Sequence, residues 1–167
     1  MTVILIMHTY YLHLGSNQGN KKQMLDLAIA AIEKKLGNII IHSSFYETEP
    51  WGLKEQDNFI NLALQVKTPF EISEVIKITK SIETELGGQK SEKWGPRNID
   101  IDILYCDDMI LQSEELTIPH PQLYNRNFVL VPMIEIAGDF IDPIRKVSID
   151  ELYDECTDEG EVFLYED

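Results

Sequence analysis

The stretch NIDIDILYC, residues 98–106, is the clearest β-strand in the sequence. Side chains of a strand alternate between its two faces, so Ile99, Ile101 and Ile103 share one face and suit a hydrophobic core. Asp100 and Asp102 share the opposite face, where two neighbouring carboxylates repel each other unless a positive charge lies near them. This strand is therefore expected to build a core on one side and a charged site on the other.

Three further strands and two helices are predicted upstream of residue 98. The strands follow from β-rich composition and alternation at Tyr10–Leu14, Ile39–Tyr46 and Asn58–Val66. One helix lies between the first two strands, and the other follows Asn58–Val66. The resulting order, βαββαβ, is that of an α+β, ferredoxin-like sandwich. We expect a mainly antiparallel four-stranded sheet with both helices on one face, followed by C-terminal helical additions.

Both helices carry signals at their ends. The first is expected to stop at Gly37, a residue type common at helix C-termini. The second is expected to begin with Thr68 as N-cap and Glu71 closing a capping box. Gly87-Gly88 is expected to end it. The buried face of the first helix is predicted to consist of Met24, Leu27, Ala28, Ala31, Ile32 and Leu36.

Helical patterns continue toward the C-terminus. A loop and a helix kinked at Pro132 are expected over Pro119–Ala137. Ser148 and Glu151 form a second capping-box pattern, which predicts a short helix. After Lys146 the chain has nine acidic residues and no Lys or Arg, which favours a solvated helix and tail.

The length and composition are those of one globular domain. The chain has 167 residues, of which 44% are hydrophobic and 26% charged, and this is ordinary globular usage. The interpretation is a single domain, 1–167, with a core of about 10–143 and an acidic C-terminal helix and tail at 147–167. A net charge of −15 argues against a nucleic-acid partner, because phosphate contacts need a basic face.

The cysteines and the N-terminus predict a cellular location. Cys106 and Cys156 lack the paired spacing of a disulfide framework or a zinc site, so both are expected to be reduced thiols. The apolar run Met1–Met7 is too short to span a bilayer. We expect a cytoplasmic protein without a membrane partner, whose first residue is Met1 or Met7.

The acidic pair of the strand at 98–106 suits a metal-bound nucleotide. Mg²⁺ is usually bound through one or two carboxylates together with substrate phosphates, and Asp100 and Asp102 offer such oxygens. Arg97 precedes them and its planar guanidinium matches phosphate geometry, while Lys90 and Lys93 add positive charge. The alternative interpretation is a solvated strand face with a structural salt bridge.

Several motifs in this order resemble the 6-hydroxymethyl-7,8-dihydropterin pyrophosphokinase family of the folate pathway. The Arg-x-x-Asp-x-Asp pattern at 97–102 is the specific one, and the resemblance extends from about Tyr10 to Pro143. It implies a ferredoxin-like fold and transfer of pyrophosphate from ATP to the pterin hydroxymethyl oxygen, which gives AMP. The supporting motifs are LGSNQG at 14–19, SFYETEPWG at 44–52, NFIN at 58–61, LTIPHP at 116–121 and NRNF at 125–128.

The resemblance also assigns roles to individual residues. Arg97, Asp100 and Asp102 would be catalytic, and the two aspartates would hold two Mg²⁺ ions that bridge the ATP phosphates. The ATP-binding set would be Glu83, Lys90, Trp94, Arg97, Ile103, Thr117, His120 and Arg126. The pterin-binding set would be Thr48, Trp51, Phe59, Asn61 and Phe128. Several have a plainer alternative: core packing for the phenylalanines, a surface acid for Glu83, a structural role for His120 and a surface ion pair for Arg126.

The sequence departs from the family pattern in places. Gly88 and Lys90 stand where an Arg-x-Arg pair is usual, Glu49 stands where proline is common, and Glu115 stands where a basic residue occurs. We expect an active enzyme with slower turnover or weaker nucleotide binding, acting as a monomer or weak homodimer. Three other functions stay open: a ligand-sensing module without catalysis, a metal-dependent phosphoesterase or nuclease, and a catalytically weakened relative. The identity of the product separates them.

Overall fold

The structure is a computed structural model that describes residues 2–52, 54–87 and 98–166. A short 3-10 turn, Leu123–Asn125, precedes the third helix. The strands are β1 His8–Ser16, β2 Asn38–His42, β3 Tyr46–Thr48, β4 Phe59–Thr68, β5 Asp100–Cys106, β6 Leu111–Gln112, β7 Thr117–Ile118 and β8 Val162–Leu164. The helices are α1 Lys21–Lys35, α2 Ile72–Glu85, α3 Asn127–Ala137 and α4 Ile149–Glu155.

The main sheet has the strand order β5-β1-β4-β3-β8, and β2 pairs with β4 beyond the end of β3. Every pairing in it is antiparallel. The predicted ferredoxin-like fold is therefore confirmed. The strands β6 and β7 form a separate two-stranded ribbon after β5.

Each face of the sheet has its own hydrophobic core. On one face α1 and α2 pack against residues such as Leu12 and Leu62, together with Ile99, Ile101 and Ile103, as the alternation of β5 predicts. On the other face α3 and α4 pack against a second set of side chains. This second layer covers only part of its face, and the part left open holds the polar residues described below.

The predicted strand Ile39–Tyr46 is wrong, because the structure divides it into β2 and β3. Both pair with β4, but the register shifts between His42 and Tyr46, so the chain has one more residue there than its partner. Ser43 lies in this break. Its backbone N–H donates to the Ala63 carbonyl (2.9 Å), and its hydroxyl accepts from the Ala63 N–H (2.9 Å). A side-chain oxygen thus replaces a backbone acceptor, which no periodicity reveals.

The predicted start of the second helix is also wrong. Thr68 ends β4, and the N-cap of α2 is Glu71, whose side chain makes no capping hydrogen bond. Thr68 still belongs to β4, and the backbone stays extended as far as Glu71 (φ −70°, ψ 161°), so the helix begins only at Ile72. The Thr68 hydroxyl instead accepts from the Phe70 N–H (3.2 Å). The predicted end is confirmed at Gly87, which adopts φ +79°.

The C-terminal prediction is partly confirmed. Ser148 is the N-cap of α4 and accepts from the Glu151 N–H (3.2 Å), and Pro132 lies inside α3. The tail is not merely solvated, however, because β8 pairs with β3 and extends the sheet. An edge strand offers free N–H and C=O groups that another segment can satisfy. Within the described ranges, no helix is both long and apolar enough to cross a membrane.

The predicted buried face of α1 is wrong at one position. Leu27 is 47% exposed, whereas Leu25, which the prediction left out, is fully buried. Two leucines of the same helix therefore offer a matched test. Leu25→Ala is expected to lower the free energy of unfolding by about 2–5 kcal/mol, because it leaves a cavity in the core.

The matched control, Leu27→Ala, is expected to cost less than about 1 kcal/mol. Urea unfolding followed by circular dichroism measures both values. Equal costs for the two variants would contradict the orientation of α1.

Candidate active site

The candidate site lies at one end of the sheet, where three strands place polar groups in one row. The antiparallel register aligns Asn61 of β4 with Gly15 of β1, and Gly15 with Asp100 of β5. Neighbouring strands lie about 4.8 Å apart, so the Asn61 and Asp100 backbones are separated by about 10 Å. A Cβ atom on Gly15 would lie 2.6 Å from the Asn61 Oδ1 atom. Because Gly15 has no side chain, the sheet surface between the Asn61 amide and the Asp100 carboxylate, which is the floor of the site, stays clear of side-chain atoms.

Three carboxylates converge at the outer edge of β5. Asp100 and Asp102 project from the face that lies opposite the isoleucines, and both are half-buried. Glu83, near the end of α2, accepts from the outward-facing Ile101 N–H (3.1 Å). Burial, followed by the negative charge of Asp100, raises the pKa of Glu83 to about 8. Oxygen ligands grouped in this way suit a hard divalent cation, which would also lower that pKa.

His120 approaches the carboxylates from the loop after β7. Its backbone N–H donates to the Leu104 carbonyl (3.0 Å), and its Nδ1 atom accepts from the Gln122 N–H (3.1 Å). This second bond assigns the proton of the neutral ring to Nε2. Nε2 lies 4.0 Å from the Asp102 Oδ1 atom, so the ring directs a donor toward the carboxylates.

A cavity of about 370 Å³ lies between α2, the edge of β5 and the β6–β7 ribbon. Its volume falls within the range of small-molecule sites. Its lining includes the sequence-predicted residues Glu83, Asp100, Asp102, Ile103, Thr117 and His120. Lys80 also lines it, and the sequence analysis missed this cation. Its position one helical turn before Glu83 is the signal that could have found it.

The predicted pterin residues form a second group on the β4 side of Gly15. Thr48 and Asn61 are buried, and the Asn61 Nδ2 atom donates to the Thr48 hydroxyl. Phe59 is the first residue of β4, and its ring lies beside the open space above Gly15. A flat polar heterocycle needs an amide-like edge partner and an aromatic face, and these residues offer both.

Arg126 connects this second group to two further aromatic rings. Its guanidinium carbon lies 4.6 Å from the centroid of the Trp51 ring and 5.6 Å from that of Phe128. His13 contacts the backbone of Phe128, since its Nε2 atom lies 3.2 Å from the Phe128 carbonyl oxygen. Burial lowers the pKa of His13 to about 4, so its ring is neutral and donates that hydrogen bond. His13 therefore supports Phe128 structurally.

Some predicted residues cannot be placed. Lys90, Trp94 and Arg97 lie outside the described residues, as does Gly88 of the altered loop. The other two departures are described. Glu115 lines the large cavity, and Glu49 contacts the C-terminal segment.

The fold, and the grouped carboxylates beside a cavity of small-molecule size, point to an enzyme of the phosphoryl-transfer class. Comparison with known proteins identifies the family. Residues 11–138 match the family described as 7,8-dihydro-6-hydroxymethylpterin-pyrophosphokinase (HPPK). This match covers more than half of the chain, which therefore belongs to the HPPK family. The resemblance stated from the motifs is confirmed.

Similar proteins carry the same name. The 2-amino-4-hydroxy-6-hydroxymethyldihydropteridine pyrophosphokinase of Aquifex aeolicus is 39% identical over 151 residues, which are 90% of this chain and 94% of that protein. The enzyme of that name from Bacillus subtilis is 39% identical over 128 residues, 76% of this chain and 77% of the relative.

A solved structure supports the fold. Plasmodium falciparum HPPK-DHPS with pterin and p-hydroxybenzoate superposes with a TM-score of 0.70 and 19% sequence identity. The match covers 93% of this chain but only 42% of the HPPK-DHPS chain.

The raised pKa of Glu83 predicts a pH-dependent stability. The carboxyl group is protonated to a higher pH in the folded chain than in the unfolded chain, so the folded state binds the extra proton between about pH 4.5 and about pH 8. The stability that Glu83 contributes is fully present below about pH 4.5 and is lost as the pH rises through about 8. Urea unfolding in EDTA at pH 5 and pH 8 should therefore show a smaller loss for Glu83→Gln than for the wild type.

Glu85→Gln is the matched control on the same helix. Lys35 lowers the pKa of Glu85, so this carboxyl is ionised in both the folded and the unfolded chain at pH 5 and at pH 8, and Glu85→Gln should leave the pH dependence over that range unchanged. If Glu85→Gln reduces the loss of stability between pH 5 and pH 8 as much as Glu83→Gln does, the burial of Glu83 is not the cause of that loss.

Proposed function

We propose a division of roles among the residues of the site. The activity itself follows from the family: the chain is a pyrophosphokinase that transfers a pyrophosphoryl group from ATP to 6-hydroxymethyl-7,8-dihydropterin in folate biosynthesis. The observation that supports the proposal is the row Asn61–Gly15–Asp100, which puts an amide-edged pocket and a carboxylate group on one open sheet face.

The carboxylates are proposed to hold the metal. A divalent cation fits their donor chemistry, since they are hard oxygen ligands and negative charge raises the pKa of one of them. Asp100 and Asp102 would hold two Mg²⁺ ions, with Glu83 orienting the edge of β5 through the Ile101 N–H. A divalent cation held by these carboxylates would neutralise charge on the ATP phosphates and so reduce their repulsion from the acids.

ATP is proposed to occupy the large cavity. His120 offers an Nε2–H donor to a phosphate oxygen, and Lys80 and Thr117 lie on the same lining. Arg97, Lys90 and Trp94 are proposed to complete the nucleotide side from the segment that precedes β5. Arg126 is proposed to contact phosphate as well, which would require its guanidinium to swing from the Trp51 ring.

The pterin is proposed to lie on the other side of Gly15. Asn61 and Thr48 would bind its amide-like edge, and Phe59, Phe128 and Trp51 would contact its faces. The hydroxymethyl oxygen then lies above Gly15, within reach of the phosphates. It attacks the β-phosphorus in line and its proton passes to the solvent, while the bond from that phosphorus to the AMP oxygen breaks and AMP leaves. The residues act by holding the two substrates in this alignment.

We also propose that this reaction takes place in the cytoplasm. The chain is proposed to act as one domain, 1–167, and as a monomer or weak homodimer that needs neither nucleic acid nor a membrane. The net charge of −15 would repel nucleic-acid phosphates, which supports the proposal that no nucleic acid takes part.

The deciding experiment measures AMP release from Mg-ATP with and without 6-hydroxymethyl-7,8-dihydropterin, followed by mass analysis of the pterin product. The expected result is pterin-dependent AMP and a pyrophosphorylated pterin. Nucleotide hydrolysis without pterin would favour the phosphoesterase alternative. Folded protein without any turnover would contradict the expectation of an active enzyme and favour a catalytically weakened relative. The substitution at Gly88 would then be the first cause to test.

Asp100→Asn and Asp102→Asn test the metal assignment. Each variant keeps the shape of the side chain but removes a charge that would hold Mg²⁺. Each should lower kcat/KM by at least ~10²-fold, since metal coordination contributes several kcal/mol. Asp108→Asn is the control, because Asp108 is an exposed acid in the turn after β5. Comparable losses in all three variants would contradict the assignment.

Gly15→Ala tests the floor of the site. The new Cβ atom would displace the Asn61 amide and would also touch the Phe59 ring. The KM for the pterin should therefore rise by about tenfold, with a smaller change in the KM for ATP. An unchanged pterin KM in a folded variant would show that the pterin does not lie over Gly15.

A further inference from the structure

The C-terminal segment 158–161 lies against the first turn of α3, which carries the ring of Phe128. The N-cap residue of α3, Arg126, makes no side-chain capping hydrogen bond. Asp158 supplies this cap from 31 positions downstream: its Oδ2 atom accepts from the backbone N–H of Asn127 (3.0 Å). The first N–H groups of a helix lack partners within the helix, and a carboxylate there is favoured by the helix dipole.

The geometry of Asp158 is fixed by the rest of the segment. Its Oδ1 atom accepts from the Gly160 N–H (2.9 Å), which closes a tight turn. The Asn127 side chain returns the contact, since its Nδ2 atom donates to the carbonyls of Asp158 (3.3 Å) and Gly160. Asp158 and Asn127 thus form a reciprocal pair, in which the side chain of each residue hydrogen-bonds to the backbone of the other.

The same segment also holds the opposite wall of the pterin pocket. The Glu49 N–H donates to the Glu161 carbonyl (3.4 Å), and the Glu161 N–H donates to the Glu49 Oε1 atom (3.3 Å). The pairing continues into β8, where Val162 lies opposite Thr48. The space left between the two walls is a cavity of only about 10 Å³, lined by Thr48, Trp51 and Phe128 together with Asp158 and Glu161.

We propose that Asp158 is a positioning residue for the pterin subsite. By capping α3 and fixing the turn that joins it to the Glu49 strand, it sets the separation of the Trp51 wall from the Phe128 wall. Asp158 acts through these elements and does not touch the reacting atoms. This inference rests on the proposed pterin site, and it assigns a specific role to an acidic tail that composition alone presents as solvated surface.

The test compares Asp158→Ala with Asp154→Ala, which removes the same charge from an exposed position on α4. Asp158→Ala should raise the KM for the pterin by about fivefold, the factor expected from a lost helix cap, and should change the KM for ATP little. Amide hydrogens in the first turn of α3 should exchange faster by a similar factor. Asp154→Ala should leave all three readouts unchanged.

Two further variants distinguish positioning from general stability. Asp158→Asn keeps one acceptor oxygen and should recover part of the pterin affinity. The double variant Asn127→Ala/Asp158→Ala should lose less free energy of pterin binding than the two single variants lose in sum. Both single changes remove the same reciprocal contact, so their effects are not additive. Equal rises in the KM for pterin and for ATP, or faster exchange in α3 with an unchanged pterin KM, would overturn the proposal.

The pterin affinity can also be measured without turnover, by titrating 6-hydroxymethyl-7,8-dihydropterin into the full chain and following tryptophan fluorescence. A wild-type chain that binds pterin but releases no AMP would contradict the proposed activity, while weaker binding by Asp158→Ala would still support the positioning role. Equal binding by the wild type and Asp158→Ala would overturn that role whether or not the enzyme turns over.

Discussion

The antiparallel register of β4, β1 and β5 is the constraint on which the site depends. It aligns Asn61, Gly15 and Asp100 across the sheet, and strand pleating sends all three to the same face. A shift of one residue in β5 would turn Asp100 and Asp102 into the core and expose the isoleucines. The apolar face of β5 therefore fixes the position of the two aspartates, because a register shift that turned them away from the cavity would bury their charge in the core.

The charge of the chain favours a cation in the proposed arrangement of the site. The net charge is −15, and the proposed substrate ATP is itself an anion. Glu83, Asp100 and Asp102 meet at the cavity where the phosphates would lie, and Lys80 is a described cation on the same lining. Divalent metal can reconcile the acids with the phosphates, while the lysine and the Nε2–H of His120 can contact phosphate directly.

Much of the fold could be predicted because it follows from local rules. The alternation of β5, the capping box at Ser148 and the βαββαβ order each depend on residues close in sequence, and each is confirmed. The failures depend on distant contacts. Leu25 and Leu27 of α1 are both apolar, and only the angle at which the helix packs decides which one is buried.

The candidate site shows the same division. Paired aspartates on one strand face are visible in the sequence, and the motifs supply the aromatic residues and Asn61. The floor at Gly15 requires knowledge of the register, since nothing near Gly15 in sequence indicates that Asn61 lies 46 positions away across the strand pair. The cap on α3 requires the path of the tail, since Asp158 and Asn127 meet only because β8 pairs with β3.

Two kinds of aspartate, one buried and one partly exposed, show how the structure separates a supporting role from the proposed chemistry. Asp142 is fully buried, and its oxygens accept from the hydroxyls of Tyr105 (2.6 Å) and Tyr124 (2.8 Å) and from two backbone N–H groups. Such a satisfied network fixes the far end of β5 against the loop after α3. Asp100 and Asp102, at the near end, are half-exposed and face a cavity. Strand β5 is thus anchored at one end by hydrogen bonds to Asp142, and at the other end it presents Asp100 and Asp102 to the cavity proposed for the metal and the nucleotide.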